Sequence, residues 1–314
     1  MQILVTGGSG FIGSHLVEHF QGGAAIRVLD DLSSGFQANL RTFDHELIRG
    51  SILDRETLRS AMRGVDFVFH LAAMISVPES MENPVRCTEV NTIGTLLVIE
   101  EAARAGVKKL VLSSSAAIYG NNPVVPKREE MTPEPASPYA ISKLDGEYYC
   151  GLFSATRGLP TVALRYFNVL GPRQNPASAY AAAVPIFIHQ ALRNEPITIY
   201  GDGTQTRDFI SVRDVARANA FFATESQATG VFNVARGGAL SILDLARRIV
   251  RLTGSRSQIL HAAERPGDVR HSTASLEKLT AAGFSPGMDF DKALEETIAS
   301  FSQTTPSRPS RESI

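Results

Sequence analysis

Cysteine is scarce: the 314 residues hold two, Cys87 and Cys150. A disulfide framework is excluded, and neither thiol has His, Cys or carboxylate partners at metal-ligand spacing. Both lie inside helical patterns and read as buried, reduced thiols; no metal site is expected. Long apolar runs are missing too. Nothing approaches the roughly 18 residues that a bilayer span needs, and residues 1–6 run straight into a core-like strand instead of a signal peptide. No membrane association and a cytoplasmic location are the resulting expectations. The third absence is an excess of charge. With 31 basic and 32 acidic side chains and a formal net charge of −1, the chain offers no basic stripe to nucleic acid, and an anionic ligand has to be held by local groups. No internal repeats occur.

At 43% hydrophobic and 20% charged, the chain is long enough to bury an α/β domain and a smaller second one. It starts with a short apolar run without helical period, Gln2-Ile3-Leu4-Val5-Thr6, then Gly7-Gly8-Ser9-Gly10-Phe11-Ile12-Gly13 and an amphipathic stretch through His19. This order predicts strand, glycine turn and helix. Gly7 permits the tight turn, Gly10 lets backbone approach a pyrophosphate, Gly13 allows close helix packing, and phosphate meets the helix N-terminus. The next strand, Ile26-Arg27-Val28-Leu29, ends in Asp30-Asp31, about 20 residues past the turn, where a carboxylate accepts hydrogen bonds from an adenosine ribose. A 2′-phosphate would be repelled there. Leu32-Ser33-Ser34-Gly35 supplies no arginine to hold one, so NAD rather than NADP is the expected cofactor.

Strand and helix alternate through the first half, which predicts a Rossmann-type, doubly wound parallel sheet whose ligands sit beyond the strands' carboxyl ends. Leu71-Ala72-Ala73 follows one such strand, and Ser113-Ser114-Ser115 follows Lys109-Leu110-Val111-Leu112. A helix is expected from Asp54 to Met62, and long helices from Asn83 to Ala105 and from Pro138 to about Thr156. The two long helices have apolar positions to spare, enough for a four-helix interface in a homodimer. After Asn168 the alternation loosens. Residues 1–170, with a return segment at about 208–236, are expected to form the cofactor domain and residues 171–302 a smaller, discontinuous substrate domain. The polar stretch 303–314 reads as a disordered tail.

Ser137-Pro138-Tyr139-Ala140-Ile141-Ser142-Lys143 carries the chemistry. Ser137 caps a helix, Pro138 suits its first turn, and residues four apart share a face, so the Tyr139 hydroxyl and the Lys143 ammonium point into one space. A free phenol ionises near pH 10, too high for a base at neutral pH, and the adjacent lysine and a positively charged nicotinamide are both expected to favour phenolate. A serine of the 113–115 run is placed to meet it.

These residues resemble the extended short-chain dehydrogenase/reductase family and, within it, the NAD-dependent UDP-sugar 4-epimerases. The resemblance runs from Thr6-Gly7-Gly8-Ser9-Gly10-Phe11-Ile12-Gly13-Ser14-His15-Leu16 to Arg265-Pro266-Gly267-Asp268-Val269-Arg270. It takes in Leu164-Arg165-Tyr166-Phe167-Asn168 and Gly201-Asp202-Gly203-Thr204 with Arg207-Asp208. It implies Tyr139 as base, Lys143 as its pKa-lowering and ribose-holding partner, and Ser115 as the hydroxyl sharing the proton. Cofactor contacts are implied at Gly7, Gly10, Phe11, Ile12, Gly13, Asp30, Asp31, Ser33, Gly35, Ser51, Ile52, Leu71, Ala72, Ala73, Asn91, Ser113 and Tyr166, besides Tyr139 and Lys143. UDP-sugar contacts are implied at Ser76, Ser115, Tyr139, Asn168, Tyr200, Arg207, Arg265, Asp268 and Ser272, with both arginines on the diphosphate. Two positions depart from the pattern: Ser51 stands where many relatives carry aspartate, and Ile75 where some carry lysine.

The expected activity is reversible oxidation at the sugar's C4, with the hydride returned to the opposite face. Two alternatives compete. Sugar-nucleotide 4,6-dehydratases and UDP-glucuronate decarboxylases share the first oxidation, but dehydratases carry an acid and a base where Ala116-Ala117 stand here. A non-catalytic NAD-binding regulator would have no need of Tyr139, Lys143 and Ser115 together.

Overall fold

The computed structural model describes residues 1–175, 183–264 and 269–304. Seven strands form one parallel sheet: β1 (Gln2–Thr6), β2 (Ala25–Asp30), β3 (Glu46–Arg49), β4 (Phe67–His70), β5 (Lys109–Ser115), β6 (Thr161–Tyr166) and β7 (Gly230–Val234). Their order is β7-β6-β5-β4-β1-β2-β3. The direction of winding reverses at β1, which opens a crevice at the carboxyl ends of β1 and β4.

Side-chain alternation divides the core. Ile3, Val5, Val111, Val162 and Leu164 pack on one face with Val215, Phe222 and Phe232. Leu4, Leu110, Leu112 and Ala163 pack on the other with Val98, Ile99 and Cys150. A period of two across a sheet buried on both faces produces this division. The helices Phe11–His19 and Val212–Thr224 cover the first face. The second face receives Arg55–Ala61, Gly94–Ala105 and Pro138–Arg157, and both cysteines are buried free thiols.

The helix expected over 83–105 is continuous from Pro84, but a π turn at Thr88–Ile93 interrupts its α register. It closes on Gly106 in the left-handed region at φ 70°. The helix starting at Pro138 is capped by the Ser137 hydroxyl, which accepts from Ala140 N–H, and it runs to Arg157.

A third core lies outside the sheet, built from Leu170, Phe187, Ile188, Ile199, Leu245, Ile249, Leu294 and neighbours. Its sheets are small: Asn168–Leu170 with Phe209–Ser211, Ile197–Tyr200 with Ile259–Ala262, and Leu240–Ser241, Thr206–Arg207 and His271–Ser272 side by side. The last helix, Phe290–Thr304, extends two residues into the segment expected to be tail. The rest of that segment lies outside the described residues. No helix among the described residues is long and apolar enough to cross a membrane.

Candidate active site

The glycine turn leaves β1 with Gly7 at φ 71°, and a Cβ there would stand 2.7 Å from the Ala72 nitrogen. The loop after β4 can lie against the turn only because that atom is missing. On Gly13 a Cβ would fall 2.2 Å from the Gly7 carbonyl oxygen, so the helix Phe11–His19 starts in direct contact with the turn. Leu71 donates to Thr6 O, and Ala72 donates to the Thr6 hydroxyl. At the end of β2, Asp30 is buried and accepts from Ser9 N–H and Leu32 N–H, each at 2.9 Å. Burial pushes its carboxyl up, and those two hydrogen bonds oppose the shift. Asp31 is exposed and accepts from Ser33. Gly35 packs against Ser9. The open glycine backbone, the helix N-terminus and the Asp30 carboxylate fit the two ends of an ADP moiety.

β5 carries Ser113 and Ser115 to the same edge. Lys143 is buried and its Nζ donates to Ser113 O at 2.9 Å, while standing 5.7 Å from the Tyr139 ring centroid. Tyr139 is half-buried. Its backbone N–H donates to the hydroxyl of Ser80, a fully buried side chain that ties the first helical turn to the helix Val77–Glu82. Ser115 accepts from Ala117 N–H, and its hydroxyl also hydrogen-bonds the Tyr139 phenol.

One expectation needs correcting. In the protein itself the Tyr139 phenol lies above its ordinary value, not below it. Burial dominates and pushes the phenol up, and Ser115 supplies the opposing hydrogen bond. Lys143 is itself pushed down by burial to about 8. The ammonium donates to the Ser113 carbonyl oxygen and stands 5.7 Å from the Tyr139 ring centroid, and burial shifts both groups against their charged forms.

Other residues expected to touch cofactor stand behind the edge. Asn91, in the π turn, accepts from Met74 N–H and donates to Met74 O and the Ser142 hydroxyl, which fixes the loop after β4. The Tyr166 ring is in the core, and its hydroxyl donates to Asn219. Ile52 is buried against Gly94, whereas Ser51 is half-buried and accepts from Leu53 N–H. Phe11 and Ile12 are half-buried at the helix start. Ile75 is 68% exposed, beside Ser76, which caps Val77–Glu82.

The expected sugar-nucleotide residues come from the small sheets. Ser272 pairs with Arg207 across two parallel strands, and both are half-buried. Tyr200 is 39% exposed at a strand end, where a core aromatic would be covered. It lines a cavity of about 130 Å³ with Asp202, Glu264 and Arg270. Asn168 donates from its backbone and its amide to Asp208 O. Arg265 and Asp268 lie outside the described residues.

Sequence reading missed Glu147 and Arg165 beneath the edge and Asp208 beside the small sheets. Glu147 receives hydrogen bonds from Ser114 and from Arg165, and Asp208 accepts from the backbone of Arg236, Gly237 and Ala274. Burial pushes Asp208 up to about 6. The spacing Tyr139, Lys143, Glu147 was the available signal, since it continues one helical face. No group of three or more His, Cys, Asp or Glu that could hold a metal occurs among the described residues.

A glycine cradle and a Tyr–Lys–Ser edge on a seven-stranded parallel sheet define a nucleotide-dependent oxidoreductase-type fold. The chain belongs to the NAD dependent epimerase/dehydratase family, whose profile matches residues 3–235. A UDP-glucose 4-epimerase of Mycolicibacterium smegmatis is 36% identical over 314 residues, with 96% of this chain and 98% of that protein covered. The UDP-N-acetylglucosamine 4-epimerase of Methanobrevibacter ruminantium M1, solved in complex with UDP-N-acetylmuramic acid, is 40% identical. It superposes with a TM-score of 0.94 over 97% of this chain and 99% of that one. The UDP-glucose 4-epimerase of Thermus thermophilus, solved with NAD, is 36% identical with a TM-score of 0.89, covering 97% and 100%.

Proposed function

We infer that this chain is an NAD-dependent UDP-sugar 4-epimerase, an isomerase. The observation that carries the reading is the convergence of Tyr139, Lys143 and Ser115 on one strand edge beside the glycine turn, followed by Ala116 and Ala117. Bound NAD supplies a reversible hydride acceptor for the sugar's C4. Gly7, Gly10 and Gly13 with the helix N-terminus would hold its pyrophosphate, and Asp30 its adenosine ribose. As the phenolate that the positive charge of a bound nicotinamide would favour, Tyr139 Oη takes the proton of the 4-hydroxyl and returns it after the 4-keto sugar has turned its other face to the cofactor. Ser115 orients the phenol and the sugar oxygen. Lys143, anchored on Ser113 O, offers its remaining N–H donors to the nicotinamide ribose. The two alanines carry no proton, which disfavours a dehydratase.

Arg207 and, beyond the described residues, Arg265 are the diphosphate ligands in this reading, with Tyr200 against the uracil and Asp268 on its ribose. Ser76 and Asn168 complete the sugar pocket. Ser272 leaves room for an N-acetyl group, so the substrates extend from UDP-glucose and UDP-galactose to UDP-N-acetylglucosamine and UDP-N-acetylgalactosamine. A homodimer is supported by the exposed stripe Ile141, Tyr148 and Leu152 together with Ile93 on the adjoining helix. Two buried free thiols suit a reducing, cytoplasmic compartment.

The test is to incubate the pure protein with UDP-glucose, UDP-N-acetylglucosamine and UDP-glucuronate separately and to resolve the products by chromatography. C4 epimers of the first two are expected. A decarboxylated or 6-deoxy product without any epimer would replace this reading with one of the alternatives.

A further inference from the structure

Beneath the catalytic edge lies a buried ion pair that the proton and hydride steps do not use. Glu147 and Arg165 are 3% and 4% exposed, and they meet through two hydrogen bonds: Nε to Oε1 at 2.9 Å and Nη2 to Oε2 at 2.7 Å. Ser114 Oγ donates to the same Oε1 at 2.5 Å. Ser114 and Arg165 are direct register partners on β5 and β6. Alternation puts both on the sheet face that carries Leu110, Leu112 and Ala163, against the helix Pro138–Arg157. Glu147 is the third member of the face begun by Tyr139 and Lys143, at intervals of four residues. The remaining guanidinium nitrogen donates to the Tyr119 hydroxyl at 2.8 Å, and that hydroxyl donates to Asn233 on β7.

Such a pair is a poor device for stability. Taking both charges out of water costs about as much as their attraction returns, and apolar replacements of similar volume are often neutral or stabilising. What the pair provides is direction: a planar fork meets a carboxylate in one geometry, whereas apolar side chains slide. The element it fixes is the helix that carries the base, held against the strand that ends in Ser115. A misplacement of about 1 Å at a reacting group costs on the order of a hundredfold in rate.

We propose that Glu147 and Arg165, with Ser114, are positioning residues that set the register of Tyr139 against Ser115. The proposal rests on the epimerase reading for its kinetic test alone. In the full-length, NAD-loaded enzyme, Glu147→Leu combined with Arg165→Met removes both charges together and leaves no unpaired ion. Expected are a melting temperature at or above that of the wild type, UDP affinity by calorimetry within about threefold, and kcat lower by ten- to a hundredfold with KM little changed. Glu147→Asp, which keeps the charge and shortens the reach, should recover part of that loss. The ionisation of Tyr139, followed by ultraviolet difference absorbance against the Tyr139→Phe protein, should move upward as the Ser115 hydrogen bond loosens. This titration reads the register even if no UDP-sugar is turned over, and absence of turnover in the wild type would count against the epimerase reading alone. A double variant with kcat within twofold of wild type and an unmoved phenol titration overturns the proposal. Should that protein fail to fold, Ser114→Ala decides, because it cuts the tether to β5 and keeps the ion pair. A fivefold or larger fall in kcat at constant KM supports positioning, and wild-type kcat refutes it.

Discussion

The edge proposed for the cofactor and the one proposed for the sugar hold their side chains by different means. At the first, each functional group sits on or beside a strand of one continuous sheet, and helices start or pass directly above it. At the second, Arg207 and Ser272 sit on strands of two residues that meet only each other and Leu240–Ser241. Their support comes from Asp208, whose carboxylate gathers three backbone N–H groups from two distant loops. A sheet positions many groups at once and tolerates little change. A loop cluster positions few, and its outward side chains can vary. Chemistry common to a family belongs on the first kind of support, and choice of substrate on the second.

The largest effect should come from the sheet side. Tyr139→Phe removes the proton acceptor and little volume, and loss of a general base costs on the order of 10²–10⁴ in rate. Nucleotide binding should survive, because the glycine turn and Asp30 are untouched. Turnover above half that of the wild type would remove Tyr139 from the mechanism and the comparison with it.

Lys143→Met sharpens the same contrast by separating stability from activity. The folded-state pKa is about 8, below the 10.5 of an ordinary lysine. A depressed lysine pKa means that the charged form is disfavoured in the folded protein. The penalty is fully present below about pH 8 and disappears as pH rises from there through the unfolded value. The shift corresponds to an upper figure of about 3 kcal/mol. In nucleotide-free protein, Lys143→Met should therefore raise stability against urea at neutral pH, with the gain shrinking between pH 8 and 10.5, while turnover is lost. A variant no more stable than wild type at pH 7 would mean that Lys143 is held by more than Ser113 O.

How much of this could be read from the chain follows the same division. Gly7 and Asp30 were legible because each has a local consequence, a tight turn and a strand end. Tyr139 and Lys143 were legible because one helical period separates them. Arg165 was not: it stands in an apolar strand, and its partner is 18 residues earlier on another element. Thr206–Arg207 and His271–Ser272 are too short to carry any period, and their pairing spans 65 residues, so only resemblance could bring them together. The Tyr139 pKa was misread because spacing tells which face a lysine shares and not how far burial disfavours the phenolate.

On the loop side, Ser272→Tyr should act on one substrate class alone. A phenol ring fills the volume that an N-acetyl group needs, and overpacking of this kind typically costs about 1–3 kcal/mol, or roughly ten- to a hundredfold. Turnover of UDP-N-acetylglucosamine should fall by that factor while UDP-galactose is largely spared. Equal losses on both would show that the small sheets carry as much of the common chemistry as the large one does.

The smallest effect is the finest test, because it applies one change to both regions. Ser137 caps the helix of Tyr139 and Lys143, accepting from Ala140 N–H at 3.2 Å. Ser241 caps Ile242–Thr253 in the third core, accepting from Asp244 N–H at 3.0 Å. Serine-to-alanine at such a position leaves one helix N–H without its side-chain acceptor and costs about 1 kcal/mol in either place. Thermal or urea denaturation should find the two variants alike. Their kinetics should differ. Tyr139 lies in the first turn above Ser137, where fraying displaces the phenol from Ser115, so kcat should fall several-fold with KM unchanged. Ser241→Ala frays a turn that presents no reacting group, and kcat should stay at the wild-type value. Were both variants to lose kcat equally, global stability rather than local registry would govern turnover, and the sheet would hold no advantage over the loops in placing the catalytic groups.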